Sequence, residues 1–264
     1  MSLVVDDLGI YYDPNRESRL ENLLNSSKNL DENVLVRAKA LQKLLISSEV
    51  SKYNTGTSIL ADSWPSHRQK ILVPGQVEDD ASIRFGAGNI RRNIELLTAT
   101  RQQNPDAFII YKPHPDVEAG LRPGKIPDKL ALQFTDLVLN DADAISAINA
   151  CDNVSTITSL LGFEALIRGK HVTCHGLPFY AGWGLTTDLG PSTVRRTARP
   201  TITAMIHCAL IAYPRYFDPK TGLACPVEVV VERLRSGEQH RGGPANRLLS
   251  KLQTMLASAS PIWR

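Results

Sequence analysis

Two adjacent carboxylates, Asp79 and Asp80, lie inside the run Gln76-Val77-Glu78-Asp79-Asp80-Ala81-Ser82. A carboxylate that reaches a reacting carbon or hydroxyl serves as nucleophile or general base. Neighbouring side chains in extended backbone point to opposite sides, so only one of the pair readily faces a cleft while the other caps a turn; the plainer alternative is two solvated loop aspartates. Farther along, Lys112-Pro113-His114-Pro115 sets an imidazole between two prolines, whose fixed backbone holds it in one direction. Lys112 and His114 together are able to neutralise a phosphate; the plainer alternative is an exposed histidine beside a solvated lysine. A third set begins at Thr158-Ser159, before the apolar helix LLGFEALIRG. The free amides and dipole of such a helix attract an anion, and the same hydroxyls serve equally as caps. Gly162 allows close helix-strand packing, and Glu164 either reaches a ribose hydroxyl or stays a solvated helix carboxylate. In the loop Gly176 to Thr186, Gly182-Trp183-Gly184 either shapes a donor pocket or forms a structural corner. Asp141-Ala142-Asp143 has the D-x-D spacing of some metal sites, but it stands in a polar linker before a helix, where capping is the expected role.

These residues need elements that bring them together. Ile71-Leu72-Val73 reads as a strand broken by Pro74-Gly75, followed by a helix over 89–103 with Ile90, Ile94 and Leu97 on one face. A strand over 107–111 runs into Lys112, a helix covers 142–150, and strand, helix and strand follow at 154–157, 159–168 and 171–174. This alternation predicts an α/β fold with a doubly wound, mainly parallel, Rossmann-like sheet. Ligands in such a sheet bind outside the carboxyl ends of the strands, and all three chemistry-bearing segments stand just after strands. Upstream, DENVLVRAKALQKLLIS puts Val34, Leu35, Ala38, Leu41 and Leu45 on one helical face behind an Asp31 cap. Near the carboxyl terminus, Leu248, Leu249, Leu252, Met255 and Leu256 form an apolar stripe with Arg241, Arg247 and Lys251 around it. That stripe either packs back on the protein or lies on an anionic membrane surface.

Composition narrows the field. With 264 residues, 42% hydrophobic and 22% charged, the chain can bury a substantial core. A formal charge of +3 and 6% aromatics do not indicate a nucleic-acid surface. Cys151, Cys174, Cys208 and Cys225 stand far apart without C-x-x-C spacing, as reduced thiols would. No apolar run approaches the roughly 18 to 20 residues of a membrane span, and MSLVVDDLGIYYD lacks the signal-peptide pattern, so a cytoplasmic location is expected.

The runs VPGQVEDDASI, YKPHPDVEAG, TSLLGFEALIRGKHV and GLPFYAGWGLT, together with SLVVDDLGIYYD and YPRYFDPKTG, resemble successive motifs of the KpsC/LipA capsular polysaccharide family. The likeness is greatest to the second transferase module of KpsC and extends from residue 2 to about 235. It implies a GT-B-like glycosyltransferase that moves Kdo, with retention, from CMP-Kdo to a lipid-linked poly-Kdo linker. It also implies that Asp80 is the nucleophile, with Gln76 and Ser82 completing a Q-x-x-x-D-x-S pattern, and that His114, Thr158 and Ser159 hold CMP. Lys112 and Glu164 join them as nucleotide-binding candidates, with Gly162, Gly182 and Trp183 supporting the active-site loops. A monophosphate can leave with help from a histidine, a helix amino terminus and Lys112, so neither metal nor cofactor is expected. The implied partners are the CMP-sugar donor, a lipid-linked oligosaccharide acceptor, a capsule synthesis or export complex and the inner-membrane surface. On this basis residues 1–68 are a largely helical remnant of an amino-terminal domain, 69–236 the nucleotide-sugar-binding domain, and 237–264 a basic linker and terminal amphipathic helix. The family's preceding E-D-G-F-x-R segment is not in the sequence, which leaves the amino-terminal half of the GT-B pair incomplete. Two other readings stay open: a non-catalytic capsule assembly or export subunit, and a GT-B-like nucleotide-sugar epimerase, against which the QVEDDAS loop and the His114-Pro115 motif speak.

Overall fold

The apolar runs of the sequence become the strands of a six-stranded parallel sheet. The computed structural model describes residues 2–48 and 64–236; the leucine stripe of 246–256 lies outside them. In chain order come β1 (Ser2–Leu3), α1 (Arg19–Asn25), α2 (Glu32–Ser48), β2 (Lys70–Pro74), α3 (Ala81–Gly86), α4 (Asn93–Gln103) and β3 (Phe108–Lys112). Then follow α5 (Pro115–Glu118), α6 (Asp128–Ala131), β4 (Leu137–Val138), α7 (Ala144–Ala150), β5 (Asn153–Thr156), α8 (Leu160–Ile167), β6 (His171–Cys174) and β7 (Thr187–Asp188). The last elements are α9 (Ile202–Ile206), β8 (Arg215–Phe217), β9 (Ala224–Cys225) and α10 (Val227–Arg235). Among the described residues no helix is long and apolar enough to cross a membrane.

The sheet runs in the order β4-β3-β2-β5-β6-β7, and every neighbouring pair in it is parallel. The chain builds outward from β2 to β4, then returns to lay β5 on the other side of β2 and builds outward again. This is the doubly wound arrangement expected from the alternation, and it puts the topological switch point between β2 and β5. Both faces of the central strands are covered, which is why Ile71, Leu72, Val73, Ile109, Ile110 and Val154 are all fully buried and why these strands read as continuous apolar runs.

Three details depart from the sequence reading. Residues 81–86, read as loop, form the short helix α3, started by Asp80, whose carboxylate accepts the Ser82 amide. The helix expected from residue 89 starts at Asn93, because the Glu95 carboxylate turns back to accept the Arg91 and Arg92 amides and closes the helix end there. His114 and Pro115 open a further short helix, α5.

Helix α2 follows its pattern, with Ala38 and Leu41 buried and the Asp31 carboxylate accepting the Asn33 amide. Residues Ser2–Arg215 form one compact unit, so α1 and α2 pack in the same body as the sheet. Glu21 of α1, nearly inaccessible, receives Arg195 at 2.9 Å and Arg196 at 3.0 Å. Arg196 also donates to the carbonyls of Pro178 and Ala181, each at 2.6 Å, and lies over the Trp183 ring. Breaking such a buried pair leaves a charge without a counter-ion, which costs several kcal/mol, about 3 to 5. The amino-terminal segment is thereby fastened to the 178–181 turn.

From Tyr216 onward the chain forms a second unit. Within it β8 and β9 pair antiparallel, Tyr216 opposite Cys225, and Arg233 of α10 meets the Asp218 carboxylate at 3.2 Å.

Candidate active site

At the switch point, the end of β2 and the end of β5 are joined by one side chain. Gln76 is 6% exposed; its carbonyl oxygen accepts the Thr158 amide at 3.0 Å and the Thr156 hydroxyl at 3.2 Å, and its amide nitrogen donates to Thr158 Oγ1 at 3.0 Å. Its backbone is held in turn by Asn93, which accepts the Gln76 amide and donates to the Gln76 carbonyl. Every polar atom of this buried side chain is thus satisfied, as burial in low dielectric demands.

The network continues outward. Thr158 Oγ1 donates to Ser82 Oγ at 3.1 Å, and Ser82 Oγ donates to Asp80 Oδ1 at 2.7 Å, where the Ser82 amide arrives as well at 2.9 Å. Four of the sequence candidates, Gln76, Thr158, Ser82 and Asp80, are therefore links of one hydrogen-bonded chain. Its end is a carboxylate whose Oδ1 is doubly engaged while Oδ2 makes no hydrogen bond to a described residue. Asp79 leaves the cleft and pairs with Arg122 at 2.6 Å. The two aspartates do diverge, but through the turn and helix start at Asp80 rather than through strand alternation.

A cleft of about 490 Å³ opens at this point, lined among others by Gln76, Asp80, Ser82, Lys112, His114, Thr158, Ser159 and Glu164. Lys112, at the end of β3, is 5% exposed, and burial pushes its ammonium below the ordinary value, against the opposing pull of Glu118, Asp143 and Asp141. A desolvated ammonium facing a cavity has much to gain from an incoming anion. His114 caps α5 by accepting the Asp116 amide at Nδ1, 3.1 Å; its ring hydrogen therefore resides on Nε2. Ser159 caps α8, its hydroxyl accepting the Leu161 amide, so the capping role is realised at a helix start that also lines the cleft.

Glu164 lines the cleft and is held by Arg168 one turn on, at 2.7 Å. Burial raises its carboxyl above the ordinary value, with Arg168 opposing that shift. The bond engages Oε2, and Oε1 has no hydrogen-bonding partner among the described residues.

Gly162 permits a close approach, though by a ring rather than a strand: an added Cβ would lie 2.3 Å from the Tyr180 hydroxyl. Gly182 and Trp183 do not line the cleft. Trp183 is 0% exposed, its indole donates to the Phe179 carbonyl, and Gly182 and Gly184 turn the chain at φ +79° and +84°. The chain turns a corner here, with Arg196 lying over the Trp183 indole and donating to the Pro178 carbonyl of the preceding turn. In the D-x-D run, Asp143 caps α7 by accepting the Ser146 amide at 2.7 Å.

Among the wall residues that sequence reasoning missed are Tyr11, Tyr12, Arg122 and Phe179. Tyr11 packs edge-on against Phe179 at 5.8 Å and Tyr12 stacks on Phe85 at 6.5 Å. Both tyrosines belong to SLVVDDLGIYYD and Phe179 to GLPFYAGWGLT, so the signal was present as motif without a geometry. Arg122, in a loop broken by proline and glycine, gave no signal.

Comparison with known proteins shows the family. The family model described as capsule polysaccharide biosynthesis protein matches residues 36–216. The capsule polysaccharide modification protein LipA of Neisseria meningitidis serogroup A is 47% identical over 234 residues, which are 89% of this chain and 33% of that protein. The lipopolysaccharide-processing protein LpsZ of Rhizobium meliloti is 42% identical over 236 residues, 53% of its length. The chain therefore spans between a third and about half of the length of these relatives. Among solved structures, the β-Kdo 2,7-transferase of Thermosulfurimonas dismutans KpsC superposes with a TM-score of 0.76 at 39% identity, covering 90% of this chain and 72% of that one. The β-Kdo 2,4-transferase of the same KpsC gives 0.79 at 34% identity, covering 89% and 73%.

Proposed function

Because the chain belongs to the capsule polysaccharide biosynthesis family, we propose that its cleft is the donor site of a retaining β-Kdo transferase that takes CMP-Kdo and passes Kdo to a lipid-linked acceptor. The observation that carries this reading is the hydrogen-bonded chain Gln76–Thr158–Ser82–Asp80, which begins at the switch point and ends on a carboxylate facing the cleft. A carboxylate fixed through one oxygen presents the other for attack without reorganising. Asp80 Oδ2 attacks the anomeric carbon while the bond to the CMP phosphate breaks, and its electron pair departs with the phosphate. An acceptor hydroxyl then displaces Asp80 from the same carbon, its proton passing to solvent and the electron pair of the broken bond returning to the Asp80 carboxylate, and two inversions restore the configuration.

The other cleft residues suit the leaving group. Lys112, desolvated by burial, offers charge to the phosphate; the His114 imidazole stands beside it in the cleft wall; the start of α8 adds the helix dipole. Glu164 Oε1 suits a ribose hydroxyl. The sugar specificity of the KpsC modules is a property of those proteins, and for this chain it is part of the proposal, as are the lipid-linked acceptor and a site of action at the cytoplasmic face of a membrane.

The test is calorimetry of the chain with CMP, followed by CMP release from CMP-Kdo in the presence of a Kdo-primed glycolipid. The expected result is CMP binding that does not change when magnesium is added, with release that requires the acceptor. A folded protein that gives no heat with CMP overturns the nucleotide-site reading; binding without release favours an assembly subunit over a transferase.

A further inference from the structure

Resting on the CMP-Kdo reading of the cleft, we infer that Arg122 is the residue that recognises the carboxylate of the donor sugar and that Asp79 is its positioning residue. In a 2-ulosonic acid the anomeric carbon itself carries a carboxylate. When that carbon stands before Asp80 Oδ2, a second anion is brought beside the attacking one, and at short range in a partly desolvated cleft such a pair repels strongly. A cation on the Asp80 side of the cleft removes this repulsion. Lys112 and His114 lie at the end of β3 and belong to the phosphate. Arg122 is the only guanidinium lining the cleft among the described residues.

Its loop is fixed against the Asp80 run. The Glu78 amide donates to the Pro123 carbonyl at 3.2 Å, and Asn93 Nδ2, which also holds the Gln76 carbonyl, donates to the Gly124 carbonyl at 2.9 Å. Gly124 sits at φ +124°, where an added Cβ would meet the Gln76 carbonyl oxygen at 2.8 Å, so glycine is required for this close approach. The Leu121 and Arg122 amides both donate to the Asp116 carbonyl. Arg122 is thus carried on a pinned loop rather than on a free surface segment. Its side chain is 31% exposed and is held by Nη2 to Asp79, which is itself 56% exposed. Nε and Nη1 donate to no described residue, which leaves part of a planar fork of the kind that binds carboxylates. The adjacent aspartates then divide the work: Asp80 meets the anomeric carbon, and Asp79 orients the guanidinium that meets the group attached to it. A donor without a carboxylate would leave that guanidinium without its second anion, which disfavours aldose nucleotides.

The test compares CMP with CMP-Kdo by calorimetry on the parent chain, Arg122→Gln and Asp79→Asn, with thermal melting to establish that each variant folds. Arg122→Gln should weaken CMP-Kdo by about 10- to 100-fold, the range for a hydrogen bond to a charged group, while CMP changes by less than about twofold. Asp79→Asn should shift the same ratio in the same direction by less, whereas a merely structural role would weaken both ligands together. If CMP binds the parent but Arg122→Gln leaves the ratio of the two affinities unchanged, the carboxylate assignment is overturned and the nucleotide site stands. If the folded parent binds neither ligand, both readings fall.

Discussion

Asp79 and Asp80 share a peptide bond but not a surrounding. Asp80 receives Ser82 through both amide and hydroxyl, while Asp79 is drawn outward to Arg122. The consequence is separable chemistry. Asp80→Asn keeps the shape and one accepting oxygen for Ser82 but removes the proposed nucleophile; under the proposed function it should lower Kdo transfer by at least about a thousandfold with CMP affinity unchanged within about twofold. Transfer at the parental rate would remove Asp80 from the mechanism. Gly162 makes a different demand, one of space. Its missing Cβ would fall 2.3 Å from the Tyr180 hydroxyl, and Tyr180 is itself fully buried with its hydroxyl bonded to the Ser159 carbonyl. Neither partner can yield cheaply, so Gly162→Ala should cost about 1 to 3 kcal/mol in a denaturant titration. It should also weaken CMP, because the displaced hydroxyl donates to the carbonyl of Ser159, which starts the helix that faces the cleft. An alanine variant as stable as the parent would show that the Tyr180 ring is free to move.

Elements explain which parts of this were legible. The strands were, because a parallel sheet covered on both faces turns its strands into apolar runs, as in Ile71-Leu72-Val73 and Ile109-Ile110. Helix α3 was not: six residues starting at an aspartate carry too little periodicity to separate a helix from a turn. The capping glutamate that delays α4 to Asn93 could have been found, since Glu95 stands at the right offset behind Arg92. Asp80 and His114 were visible as types after strands, whereas the role of Gln76 depends on β5 lying beside β2, which only the strand order supplies. Arg122 was invisible for the same reason, being brought to Asp79 by loop packing. A buried polar contact between α4, β5 and the end of β6 was also unforeseen: Thr100 meets Ser155 at 2.9 Å, and Ser155 meets His175 Nε2 at 3.2 Å. Burial lowers His175 from its ordinary value of 6.5, and His207 shifts the same way through burial and the charge of Arg37. A base with a depressed folded pKa binds its proton first in the unfolded chain, so stability is full above about pH 6.5 and declines as pH falls below it. Denaturant midpoints measured from pH 8 to 5 should fall toward the acid end, and His175→Gln should flatten that slope. An unchanged slope in the variant would show that His175 does not set it.

For the body formed by Ser2–Arg215, the cleft collects contributions from chain segments far apart in sequence: Tyr11 and Tyr12 before α1, Gln76 and Asp80 after β2, Lys112 and His114 at β3, Thr158 and Ser159 before α8, and Phe179 after β6. A ligand that touches these segments at once binds only the folded arrangement and should therefore stabilise it by mass action. At about 100 times its dissociation constant the gain is about 2.7 kcal/mol; at about 2 to 4 °C per kcal/mol for a body of this size, the melting temperature should rise by roughly 5 to 10 °C. The phosphate is the discriminating part, because the desolvated Lys112 and the dipole at the start of α8 favour an anion and have little to offer a neutral nucleoside. CMP should give the full rise, cytidine at the same concentration less than about a third of it, and added salt should erode the difference as it screens the phosphate contacts. Equal shifts from CMP and cytidine would mean that the nucleoside is held elsewhere and that the cations of this cleft do not serve a nucleotide phosphate.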